Sequence, residues 1–170
     1  MKKRDLVLLL LASSFALVFA YILQFVFDYQ PCILCLYQRL PFFIIIVLSA
    51  CGLILFSSER LVKIAVVFCI ILLAVNVAIS FYHFGVEEKI FTGPTNCEDV
   101  SNLNKATSLE ELKLVIGKAK AVPCDEPQLK FLKLSLATWN FIYCVVVLGL
   151  LYWIYKRRAR TDRLGAVGKK

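Results

Sequence analysis

Pro31-Cys32-Ile33-Leu34-Cys35-Leu36-Tyr37-Gln38-Arg39 is wedged between two long apolar runs, residues 6–27 and 40–56. Pro31 predicts a helix start here, because its fixed φ suits a first helical turn. Both cysteines then sit where unpaired backbone N–H groups point outward, and that positive helix end favours the reactive thiolate. Arg39 lies four residues after Cys35, one turn along the same face, so a permanent cation can reach toward that sulfur. A Cys-x-x-Cys pair can close an inert disulfide, hold a metal or shuttle electrons. The arginine favours the last.

The surrounding composition places the motif at a membrane. The 170 residues are 60% hydrophobic with mean hydropathy +0.76, too apolar for a soluble domain of this length. Net charge is +8, yet residues 1–5, 57–63 and 156–170 hold 12 of the 20 Lys and Arg and only 3 of the 12 acids. The remainder is close to neutral. Such clustering is the positive-inside bias of a multi-spanning protein and excludes a nucleic-acid footprint.

Residues 6–27 give about 33 Å of helix, enough for a bilayer core of about 30 Å. The run exceeds a signal-peptide core and lacks a small-x-small cleavage site, so a retained span is expected. Further spans are expected at 36–56, 61–84 and 137–155, with Pro41 perturbing the start of the second. The predicted fold is an all-α bundle of four transmembrane helices, a single membrane domain over 1–170. Its redox loops are 28–39 and 85–133, the long loop joining helices 3 and 4. Asn76, in mid-span, calls for an interhelical hydrogen bond. Trp139 and Trp153 mark the two interfaces of the last span.

Four spans put both termini on the basic, cytoplasmic side and Cys32, Cys35, Cys97 and Cys124 together on the other. Cys51, Cys69 and Cys144 fall inside apolar runs as small fillers. On an oxidising face, four cysteines form a disulfide framework with three possible pairings. A bridge from Cys97 to Cys124 would close about 28 residues and restrict the unfolded chain by roughly 3–4 kcal/mol. Within the long loop, Ser108 and Glu111 fit a capping box, with Leu109, Leu112, Val115 and Ile116 on one face of a short helix. An amphipathic stretch at 129–136 leads into the last span. Tyr82-His83-Phe84-Gly85 closes the third, and His83 is the only histidine of the chain.

Two thiol pairs on one face permit a relay, since a disulfide moves between pairs by thiolate attack. A pair at the bilayer edge needs a lipid-soluble acceptor of higher potential, and a quinone meets that requirement by location and chemistry. Arg39 would stabilise both the Cys35 thiolate and negative charge developing on the quinone oxygen.

With Cys32-Ile33-Leu34-Cys35-Leu36-Tyr37-Gln38-Arg39 after the first span, Tyr82-His83 closing the third, Cys97 and Cys124 in the next loop and Phe131-Leu132 before the fourth, the chain resembles the disulfide bond formation protein B (DsbB) family over its whole length. The resemblance implies a bacterial inner-membrane enzyme that reoxidises a periplasmic thioredoxin-fold thiol oxidase, DsbA-like, and passes electrons to ubiquinone or menaquinone. It implies disulfides Cys32–Cys35 and Cys97–Cys124. The reduced partner would attack Cys97, Cys124 would exchange with Cys32, and Cys35 would face the quinone beside Arg39 and His83. No resident metal is expected.

Three rival readings are a vitamin K epoxide reductase-like quinone reductase, a tetrathiolate zinc site built from Cys32, Cys35, Cys97 and Cys124, and a structural protein with inert disulfides. The position of the motif after the first span argues against the first. The missing second Cys-x-x-Cys and an oxidising face argue against the second.

Overall fold

The computed structural model describes residues 3–93, 124, 129–131 and 134–167. Four helices carry it: α1 (Lys3–Phe25), α2 (Ile33–Leu55), α3 (Glu59–Glu87) and α4 (Leu136–Val167). Each contains a stretch long and apolar enough to cross a membrane. The fold is the expected all-α, four-helix membrane bundle. The long loop, including Cys97 and the capping box at Ser108, lies outside the described residues.

The helices pack in chain order, α1 on α2, α2 on α3 and α3 on α4. Tyr143 closes the ring, its hydroxyl donating to the Ala12 carbonyl at 2.8 Å across α4 and α1. The seam of α3 reads Val62, Ala65, Val66, Cys69, Leu73, Asn76, Ser80, His83, spaced by threes and fours on one face, all buried. Ser13 on α1, Ser49 and Gly52 on α2 complete an interior of small and polar groups. Large apolar side chains such as Phe15, Phe19, Val47 and Ile54 face outward, Ile54 with 80% of its surface exposed. That arrangement suits lipid outside and close backbone approach inside. At Gly52 a Cβ would stand 2.9 Å from Leu6 Cδ1, so a side chain there would have to push the tip of Leu6 aside.

Asn76 makes the expected interhelical bond, Nδ2 donating to Cys144 Sγ on α4 at 3.6 Å. Cys69 and Cys144 are fully buried fillers and Cys51 is half-buried. At the basic end, Arg158 Nη1 donates to both oxygens of buried Asp5, at 2.6 and 2.8 Å, tying α4 to α1.

Three local expectations need correction. The second helix begins at Ile33 with Cys32 as its N-cap, so Pro31 precedes the cap rather than occupying the first turn. The reason is the thiol itself, which accepts from the Cys35 N–H at 3.3 Å and takes the capping position. Pro41 lies inside an unbroken α2, its missing donor costing one bond in a helix held by its neighbours. The fourth helix continues beyond 155 to Val167, because the basic stretch after Tyr155 contains Arg, Lys and Ala, good helix formers outside lipid. Within the stretch at 129–136, β1 (Lys130–Phe131) pairs antiparallel with β2 (Leu134–Ser135), Lys130 opposite Ser135. Ser135 then caps α4 by accepting from the Thr138 N–H at 3.2 Å.

Candidate functional site

Cys32, Cys35 and Cys124 collect at the end where α2 begins and α3 ends. Cys32 caps α2 and Cys35 sits in its first turn, their sulfurs 3.0 Å apart and both as thiols. The two partners of the expected Cys32–Cys35 bridge stand in contact. Cys124 joins them through a hydrogen bond to Cys32 and is buried with Cys32, Leu34 and Val86. Three sulfurs thus stand in series: Cys124, Cys32, Cys35. Hydrogen bonding to Cys124 favours the Cys32 thiolate, but the hydrogen bond with Cys35 and burial outweigh it and push the thiol up to about 12.

His83 comes to the same place from the last turn of α3, 2% exposed. Its Nε2 lies 3.6 Å from Cys32 Sγ and 3.7 Å from Glu87 Oε1, and the ring also hydrogen-bonds the Cys124 main chain. Gln38, one turn beyond Cys35, donates from Nε2 to His83 Nδ1 at 3.0 Å. Asn140 on α4 extends the chain, donating to Gln38 Oε1 at 3.2 Å and to Ser80 Oγ at 2.8 Å. These polar groups link α2, α3 and α4 beneath the thiols.

Arg39 turns the other way. Its Nη1 donates to Gln24 Oε1 on α1 at 2.6 Å, and its guanidinium lies over the Tyr21 ring, 5.2 Å from the centroid. Tyr21 stacks on Phe25 and meets Phe43 edge-on. The cation therefore holds a station at the α1–α2 seam, within electrostatic reach of Cys35 but bonded across to α1. A Tyr82–Phe91 stack at 5.7 Å folds the chain after α3 back over Gly85, whose missing Cβ leaves room for the Phe91 ring.

Cys32, Cys35, Arg39 and His83 are thus brought to one end, with Cys124 beside them. Gln24, Gln38, Glu87 and Asn140 escaped the sequence reading of the site. Their signal was polarity inside or beside an apolar span, a mark of interior or functional placement.

The family model described as "Disulfide bond formation protein DsbB" matches residues 2–154, nearly the whole chain. The chain belongs to the DsbB family. It is also similar to "Uncharacterized protein RP370" of Rickettsia prowazekii (strain Madrid E), 28% identical over 151 residues, covering 87% of this chain and 86% of that protein. DsbB membership, with four spanning helices, makes this a multi-pass membrane protein of disulfide-bond formation. The thiols of its DsbB motif lie at the end of the bundle opposite the Asp5–Arg158 pair.

Proposed function

We propose that this chain oxidises a soluble, periplasmic thioredoxin-fold dithiol protein of the DsbA kind and delivers the two electrons to a membrane quinone. The observation that carries the reading is the contact series Cys124–Cys32–Cys35 at the mouth of α2. In the resting cycle Cys97 would be bridged to Cys124 and Cys32 to Cys35. A partner thiolate attacks Cys97, forming a mixed disulfide and releasing the Cys124 thiolate. Cys124 attacks Cys32, breaking the Cys32–Cys35 bond and leaving Cys35 as thiolate. The partner's second thiol then resolves the mixed disulfide and departs oxidised.

A quinone, ubiquinone or menaquinone, supplies a lipid-soluble acceptor for two electrons and two protons. The residues fit it: Arg39 offers a fixed cation, Tyr21, Phe25 and Phe43 offer aromatic surface beside it, and half-buried Cys35 lies within electrostatic reach of the arginine. Buried His83 keeps company with Cys32 and Cys124, which favours a role at the exchange step as well as near the acceptor. The basic residues at the far end support cytoplasmic termini and a periplasmic thiol face in the bacterial inner membrane.

The test is a coupled assay with purified protein, a reduced thioredoxin-fold oxidase and a short-chain ubiquinone. One quinone should be consumed per disulfide formed in the partner, and Cys35→Ser should abolish consumption while the protein stays inserted. Disulfide formation without quinone loss would sink the acceptor assignment.

A further inference from the structure

The thiols and the imidazole at the mouth of α2 form more than an exchange site. Cys32 Sγ, Cys35 Sγ and His83 Nε2 all lie within 4.8 Å of one another. Cys124 lies alongside, its side chain hydrogen-bonded to Cys32 and its main chain to His83, but it is not one of the three converging donors. Zinc bonds of about 2.3 Å to sulfur and about 2.0–2.1 Å to nitrogen place tetrahedral ligand atoms roughly 3.4–3.8 Å apart. The Cys32–His83 separation of 3.6 Å already falls there. The two sulfurs, at 3.0 Å, need to part by less than 1 Å. Cys32, His83 and Cys124 are nearly fully buried, while half-buried Cys35 gives a route in from the surface.

We propose that the fully reduced form binds one thiophilic divalent ion, Zn2+ above all, through Cys32, Cys35 and His83 with water in the fourth position, and that the bound ion arrests turnover. Binding is a ligand exchange without redox change: two thiols lose two protons to solvent and His83 contributes a neutral nitrogen. Gln38 suits the outer position. A metal on Nε2 requires the proton on Nδ1, and rotating the Gln38 amide presents its oxygen to that N–H at the present 3.0 Å contact, in exchange for the bond that oxygen now accepts from Asn140. Any disulfide involving Cys32 removes the site, so only the reduced enzyme is captured. The arrest, though not the binding, rests on the thiol relay proposed above.

The experiment uses the full chain in detergent, reduced anaerobically, freed of reductant and titrated with Co2+ alone, then with Zn2+ in competition. The reduced protein should take up one equivalent with the intense visible bands of tetrahedral thiolate cobalt, and the oxidised protein none. His83→Asn and Cys35→Ser should each weaken uptake about tenfold or more, and Gln38→Leu by about 10–100-fold. Reduced protein whose Cys32 and Cys35 titrate as thiols but which takes up no Co2+ would overturn the proposal. So would uptake unchanged in both His83→Asn and Cys35→Ser, each confirmed as folded by gel filtration. In the coupled assay Zn2+ should stop turnover and a chelator restore it. Normal turnover in chelator with no metal uptake defeats this inference alone, whereas metal uptake without any dithiol oxidation defeats the functional reading alone.

Discussion

Burial and hydrogen bonding give the sulfurs at the mouth of α2 different tasks. Cys32 stays a thiol far above neutrality, held near 12 against an ordinary 9.0. The raised value means that its proton is retained in the fold and lost first on unfolding, so this group withdraws stability only as pH rises from 9 toward 12. Iodoacetamide should therefore modify Cys32 in the reduced protein at least about tenfold more slowly than an ordinary cysteine at pH 8, read by peptide mass mapping against a denatured control. Equal rates in the two samples would refute the protected thiol. Arg39 tests the other side. Its charge-assisted bond to Gln24 and its place over Tyr21 need a planar cation, so Arg39→His should lower kcat/KM for quinone by about 10–100-fold, corresponding to about 1.5–3 kcal/mol. The rate of exchange with the dithiol partner should change little. Unaltered quinone kinetics would strip the arginine of its role.

Among the elements, the contact of α1 with α2 matters most, because it sets where Arg39 meets Gln24. That contact is close at Gly52, where a side chain would strike Leu6. Gly52→Ala should cost about 1–3 kcal/mol through overpacking, seen as a lower midpoint of thermal unfolding in detergent. Combined with Leu6→Ala, the total loss should be smaller than the sum of the two single losses, as expected when two changes share one contact. Strict additivity would show that Gly52 acts elsewhere. The seam of α3 shows how an element of this kind is read: its polar positions Asn76, Ser80 and His83 fall on the buried stripe in register with Cys69 and Leu73. Their period was visible in the sequence, but their partners were not. Ser80 and Gln38 both bond Asn140, 60 and 102 residues away along the chain.

Across the whole molecule, the thiol cluster and the Asp5–Arg158 pair mark opposite ends of one bundle. The pair joins the first helix to the last, with Asp5 buried and Arg158 partly exposed. Asp5→Asn leaves the cation short of its counter-charge and should lower stability by about 1–3 kcal/mol, with turnover per folded molecule unchanged. Removing both partners, as Asp5→Asn with Arg158→Met, should be milder than the single change, and a double-mutant cycle in detergent measures the coupling. Four spans, the bias of basic residues and the placement of Cys32, Cys35, Arg39 and His83 were legible from the sequence. Hydropathy and charge act locally, and every residue in a span faces the same lipid constraint. Which way Arg39 reaches, that His83 stands against Cys32, and that Gln38 and Asn140 support it were decided only by the tertiary structure. Those relations depend on how helices far apart in the chain turn their faces to one another, and a single helix carries no record of its neighbours' rotation.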